Sequence, residues 1–175
     1  MRAACRLGLP FLMHYGPELA LGHSHREYVD PAGLLRALRL LRKEGEMPTV
    51  IIAHAATPSF WPVGRGRYFH GLVNALLGEF SDAPLYADIA ALAAFNKARW
   101  LKRLSRMPGI QNKLVYGSDF PVPPTPLAFW FQLGLAGFKK IRGQKSWLDR
   151  DLAIKKSIGL DPQIFSRGGI LLQHR

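Results

Sequence analysis

The sequence holds a single cysteine, Cys5. No intrachain disulfide can form, so a bridge-stapled scaffold is excluded, as is a zinc cluster built from thiolates. One reduced thiol fits a cytoplasmic protein. Long apolar runs are also missing. The longest stretch without a charge, Phe120 to Phe138, is interrupted by Pro121, Pro123, Pro124 and Pro126. Its apolar part from Leu127 onward falls short of the roughly 20 residues that a membrane span needs. Near the start, the apolar run Leu7 to Met13 is broken by Gly8 and Pro10 and does not read as a secretory signal. The expectation is a cytoplasmic chain without a membrane partner.

Acidic residues are the third scarcity. There are 12 Asp+Glu against 24 Lys+Arg, a formal net charge of +12. Such an excess raises nucleic acid as a partner, but the placement argues against it. Arg36, Arg39 and Lys43 fall opposite Leu34, Leu35, Leu38 and Leu41, and Arg99, Lys102, Arg103 and Arg106 fall beside Leu101 and Leu104. These patterns are solvated helix faces. Apart from Trp100, aromatic residues are not interleaved among them as a series of base-stacking platforms would require. What is plentiful is apolar surface: 48% of the 175 residues are hydrophobic, enough to order a globular domain and exclude a disordered chain.

Short β-like runs alternate with amphipathic helical runs. Strands are expected at Leu9–His14, Thr49–His54, Pro84–Ile89 and Lys113–Gly117. The Val50-Ile51-Ile52-Ala53 stretch is apolar on both faces, which suits a strand of a buried parallel sheet. Between them, a helix should start at Asp30-Pro31, with Asp at the N-cap and Pro at the first position, and stop at Gly45. Further helices are expected from about Tyr68 to Phe80, Ala90 to Arg106 and Asp149 to Ile158, followed by a tail. The alternation argues for βαβ units, a parallel sheet and outer helices. The opening segment, Arg2 to Leu7 before Gly8, reads as the last turn of a helix whose beginning is missing, because an isolated turn is unstable alone.

Three of the four expected strands end in a side chain able to bind metal or move a proton: His14, His54 and Asp119. Active sites assemble at the C-terminal edge of parallel strands. Imidazoles and a carboxylate converging there suit a divalent metal such as zinc and an activated water. A histidine alone would carry little weight; the repetition across successive units suggests one shared site.

These strings also resemble a known family. Gly8-Leu9-Pro10-Phe11-Leu12-Met13-His14-Tyr15-Gly16-Pro17-Glu18 is similar to the fifth-strand segment of amidohydrolase-superfamily enzymes of the amidohydrolase-related (amidohydrolase 2) group. Val50 to His54, Leu85 to Leu92 and Leu114 to Pro121 resemble its sixth, seventh and eighth strands, and Asp149 to Leu160 its C-terminal helices. The resemblance implies a metal-dependent hydrolase, or the related non-oxidative decarboxylase, acting on a small molecule. It implies His14 as a metal ligand and Asp119 as a metal-associated carboxylate that deprotonates the water. His54 would orient or polarise the substrate. Glu18 and Tyr15 become candidate substrate contacts, and Asp88 a structural residue. The loops from Tyr15 to Val29 and from Ala55 to Arg67, with Phe60, Trp61 and Tyr68, would shape the pocket.

The family also carries a first-strand His-x-His pair as further ligands, and no such strand is found here. His23-Ser24-His25 imitates the pair, but no apolar strand precedes it; His70 and His174 have no partner at ligand spacing. A whole (β/α)8 barrel takes about 250 residues and seldom fewer than about 200. The expected fold is therefore α/β, the C-terminal half (strands five to eight) of a TIM-type barrel forming a single partial domain over residues 1–175. Such a half would leave two open sheet edges and an uncovered apolar face. Zinc would bind weakly, if at all. A partner chain or a second copy would complete the barrel. The alternative reading is a non-catalytic remnant that serves as a binding or assembly module, and a less favoured one is a basic polyanion-binding protein.

Overall fold

A computed structural model of the chain describes residues 1–17, 29–59 and 66–173. Four strands, β1 (Phe11–His14), β2 (Val50–Ala53), β3 (Leu85–Asp88) and β4 (Leu114–Val115), form one all-parallel sheet in chain order. The helices are α1 (Arg2–Arg6), α2 (Ala32–Lys43), α3 (Arg67–Leu77), α4 (Ala98–Ser105), α5 (Trp130–Arg142), α6 (Trp147–Ser157) and α7 (Ile164–Leu172). The fold is α/β, a parallel sheet with helices outside it.

The register divides the strand residues between two faces. Phe11 pairs with Val50 and Val50 with Leu85, while Met13 pairs with Ile52, Ile52 with Ala87 and Ala87 with Leu114. This face packs into the core with Leu38, Phe69, Leu76, Leu101 and Ile154 from the helices. Residues alternate across a strand, so Leu12, Ile51 and Tyr86 share the opposite face, with His14, Ala53, Asp88 and Val115 one step further along. Leu12 is 69% exposed there.

The α2 expectation holds with its start moved on by one residue, Pro31 standing at the N-cap and Ala32 opening the helix. Asp30 Oδ1 accepts the Ala32 N–H at 2.9 Å, Leu34, Leu35, Leu38 and Leu41 are buried, and Gly45 closes the helix in the left-handed region at φ 72°. The basic face is solvated and largely ion-paired: Arg39 meets Glu79 at 2.6 Å and Arg42 meets Asp82 at 2.8 Å. Entry into α3 requires glycine at Gly66. Its φ is +74°, and a Cβ there would fall 2.2 Å from the Trp100 ring.

Other boundaries move, for tertiary reasons. The expected helix over Ala90–Arg106 forms only from Ala98. The segment before it is a buried loop, because Ala91 N–H bonds Ser118 O, Ala93 O accepts from Thr125 N–H, and Ala91 has φ 57°. Alanine's helix propensity yields to those contacts. The fourth strand shortens from Lys113–Gly117 to two residues, as Lys113 ends a 3-10 turn (Pro108–Lys113) and Tyr116 N–H donates to Ile164 O instead. The expected tail contains a helix, α7. Helix α7 also corrects the expectation of two open edges. Arg167 Nη1 donates to Gln111 O at 2.8 Å and to Leu114 O, so the outer edge of β4 is capped from within the chain.

Phe69 is fully buried, with its ring 4.7 Å from that of Trp100. Phe69→Ala is expected to lower the unfolding free energy by about 3–5 kcal/mol, read as a lower urea midpoint with an unchanged slope.

Candidate active site at the C-terminal rim of the sheet

All strands run the same way, so their C-terminal ends share one rim. His14 closes β1, His54 follows β2, Asp88 closes β3 and Asp119 lies beyond β4. The three candidates come together there. The His14 and His54 rings stand edge to face at 5.2 Å between centroids. His54 Nε2 lies 3.8 Å from Asp119 Oδ2. That separation exceeds a direct hydrogen bond, and a water oxygen set to one side of the line could contact both atoms.

His54 is the buried member, 9% exposed. It sits in a 3-10 turn (His54–Ala56) rather than at the end of the expected strand. Its backbone N–H donates to Asp88 Oδ1 at 2.7 Å, and its Nδ1 lies 3.0 Å from Ala90 O. A carbonyl can only accept, so Nδ1 carries a proton there and Nε2 is the ring atom that faces Asp119. His14 and Asp119 are exposed. The side chains therefore grade from a fixed base at the back of the rim to accessible groups at the front.

Asp88 is the structural carboxylate beneath them. The same Oδ1 that accepts from His54 also accepts the Ala90 N–H at 3.0 Å. Burial pushes its pKa up, while the two backbone donors and the neighbouring charges of His54 and Lys155 oppose the shift. Backbone strain gathers at the same place. Among the described residues, every non-glycine with positive φ lies at this rim: His54 (53°), Ala55 (49°), Ala56 (52°), Ala91 (57°) and Asp119 (61°). Such conformations persist only where the surroundings over-determine them, and they gather at functional sites. The turn after β1 presses on this segment. Gly16 has φ 104°, and a Cβ there would meet Ala56 backbone atoms at 2.8 Å.

Tyr15 is half-buried and packs against the core, and burial raises its pKa. Tyr68 is half-buried on α3, with the Arg67 guanidinium 4.5 Å from its ring centre. Glu18, His23, Ser24, His25, Phe60, Trp61 and His174 lie outside the described residues. Sequence reasoning missed Lys155, which is fully buried behind the Asp119 turn on α6; Asp151 and Lys155 read as an ordinary i, i+4 surface pair. An open groove of about 400 Å³ on α5, lined by Trp130, Leu135, Phe138, Lys139, Arg142 and Gly143, shares no residue with the rim.

As metal donors, imidazole and carboxylate suit zinc, but a catalytic zinc site needs three protein ligands. Among the described residues no group of three or more His, Cys, Asp and Glu is placed to hold a metal ion. The donors at hand do not complete such a site. Also among the described residues, no helix is long and apolar enough to cross a membrane. No family model, curated protein or solved structure matches this chain.

Asp88→Ala strands two buried N–H groups and is expected to cost about 2–6 kcal/mol, one to three for each. Asp88→Asn retains an acceptor oxygen and should cost less. The pH dependence separates them from wild type further. A carboxyl with a raised folded pKa gives a contribution that is present at low pH and lost as pH rises through that folded pKa. Wild type should gain stability relative to Asp88→Asn as pH falls into the ordinary carboxylate range. Denaturant midpoints between pH 7 and 4 check the sign.

Proposed function

We propose that this rim is part of the active site of a hydrolase, and that the chain contributes the C-terminal half of a (β/α)8 barrel of the amidohydrolase-related family. The observation that carries the reading is the convergence of His54 Nε2 and Asp119 Oδ2, 3.8 Å apart, beside the His14 ring at the carboxyl edge of parallel strands. Catalytic residues of such barrels project from successive strand ends at this face.

In this reading Asp119 takes the proton from an attacking water. His54, its Nδ1–H held by Ala90 O, orients or polarises the substrate through Nε2, which has to carry a proton to steady the negative charge that develops there. A small molecule with an ester or amide group is the substrate class for this hydrolysis, and one with a carboxylate for the related non-oxidative decarboxylation. His14 and Asp119 would provide two ligands to a divalent metal, zinc by donor chemistry, whose contribution would be to acidify bound water. Further ligands would come from a completing segment on a partner chain or second copy. A completing segment would join at the β1 edge, and closing the barrel would also need the α7 contacts to leave the β4 edge. The reading places the protein in the cytoplasm, with no membrane or nucleic-acid partner. The opposing reading, a non-catalytic binding or assembly module, draws support from Leu12, 69% exposed on the sheet face away from the core.

Two measurements decide. Zinc titrated into the pure chain is expected to bind weakly and below one equivalent; tight one-to-one binding would refute the half-site. The half-site alone is expected to be weak or inactive; whatever turnover it shows with zinc on a panel of model esters, amides and aromatic carboxylates should fall by about 10²–10⁴-fold in each of His54→Ala and Asp119→Ala. Turnover indifferent to both changes would rule out catalysis at this rim.

A further inference from the structure

Lys155 is fully buried, yet nothing in the proposed chemistry uses it. Its Nζ donates to Gly117 O at 2.7 Å and to Asp151 at 2.8 Å, and lies 5.2 Å from the centre of the Tyr116 ring. Asp151 is in turn 4% exposed, and burial together with the Asp151 carboxylate holds the Tyr116 phenol pKa up. One ammonium thus joins α6 to the two residues that lead from β4 into the Ser118–Asp119 turn. Burial pushes the Lys155 pKa down, and the charges of Asp151, Asp88 and Asp119 act against it. The two rim carboxylates are therefore within its electrostatic reach.

Taking an ammonium and a carboxylate out of water costs several kcal/mol each, and a well-packed apolar pair of similar volume is often as stable or more so. Packing α6 against β4 does not require this pair. An apolar pair, however, cannot donate to Gly117 O, nor set a positive charge behind Asp88 and Asp119. The turn it would leave untied is the strained one, with Asp119 at φ 61°.

We propose that Lys155 is a positioning residue: its buried ammonium, oriented by Asp151, fixes the turn that aims Asp119 at His54. Its importance to catalysis rests on the hydrolase reading above; the tether itself does not.

The test compares wild type, Lys155→Met and the double variant Asp151→Leu/Lys155→Met as full chains at one pH. Three amides report on the turn: Ala91, bonded to Ser118 O; Phe120, bonded to Ser118 Oγ; and Val122, bonded to Asp119 O. Val50, bonded to Pro84 O, is the control. Lys155→Met should speed hydrogen exchange at the three reporters by about tenfold relative to Val50, the loss of one charge-assisted hydrogen bond. It should also move the ¹⁵N resonance of His54 Nε2, an atom that Lys155 does not touch. The double variant should return Tm close to wild type while keeping both signatures. If the folded double variant has wild-type exchange and an unmoved His54 resonance, the pair is only structural and the proposal is overturned. A double variant that does not fold overturns it as well, because the pair is then a requirement of the core. Exchange effects together with turnover that His54→Ala and Asp119→Ala leave unchanged would sink the hydrolase reading and leave the tether; turnover lost in those two variants without exchange effects in Lys155→Met would do the reverse.

Discussion

Two backbone N–H groups, those of His54 and Ala90, donate to the same carboxylate oxygen of Asp88. The rim depends on that shared acceptor. It stops β2 at Ala53, turns the chain into three successive left-handed residues, and brings Ala90 O to His54 Nδ1. A buried carboxylate accepting two amides is a strong constraint, because each N–H would otherwise be left without a partner. The tautomer of His54 and the direction of Nε2 follow from it. The neighbouring segment Ile89–Ala94 is drawn out of helical form by the same set of bonds.

Beyond Asp88, the rim is held from two further sides. Gly16 brings the turn after β1 against Ala56, where no larger residue would fit. On the other flank, α6 and α7 reach back onto β4 through Lys155, Arg167 and Ile164. A two-residue strand is too short to be secure through its ladder alone, and these contacts supply what the ladder lacks. They also close the outer edge of β4, and β1 is the other edge strand of the sheet.

Much of the architecture was legible because it rests on local rules. The Asp30 cap, the leucine face of α2 and the Val50–Ala53 run each carry a pattern of the right period. Parallel strands ending at His14, His54 and Asp119 follow from the order of those patterns. The less legible parts are places where one residue answers to a distant one. Ala90 to Ala94 look helical by propensity, but their backbone groups go to Asp88, Ser118 and Thr125. Asp151 and Lys155 have the spacing of a solvated pair, and only the docking of α6 buries them. Tyr15, next to His14 in sequence, turns its ring to the core.

The sequence by itself determined the α/β class, the chain-order succession of strands and helices, and the three residues that end at one edge, since hydrophobic period and turn chemistry are local properties. Only the tertiary structure decided that His54 presents Nε2, that Asp88 is a buried acceptor, that β4 is capped and that a lysine lies beneath the rim. Those outcomes depend on which backbone groups from separate units find each other once the core has closed, and no local pattern encodes that.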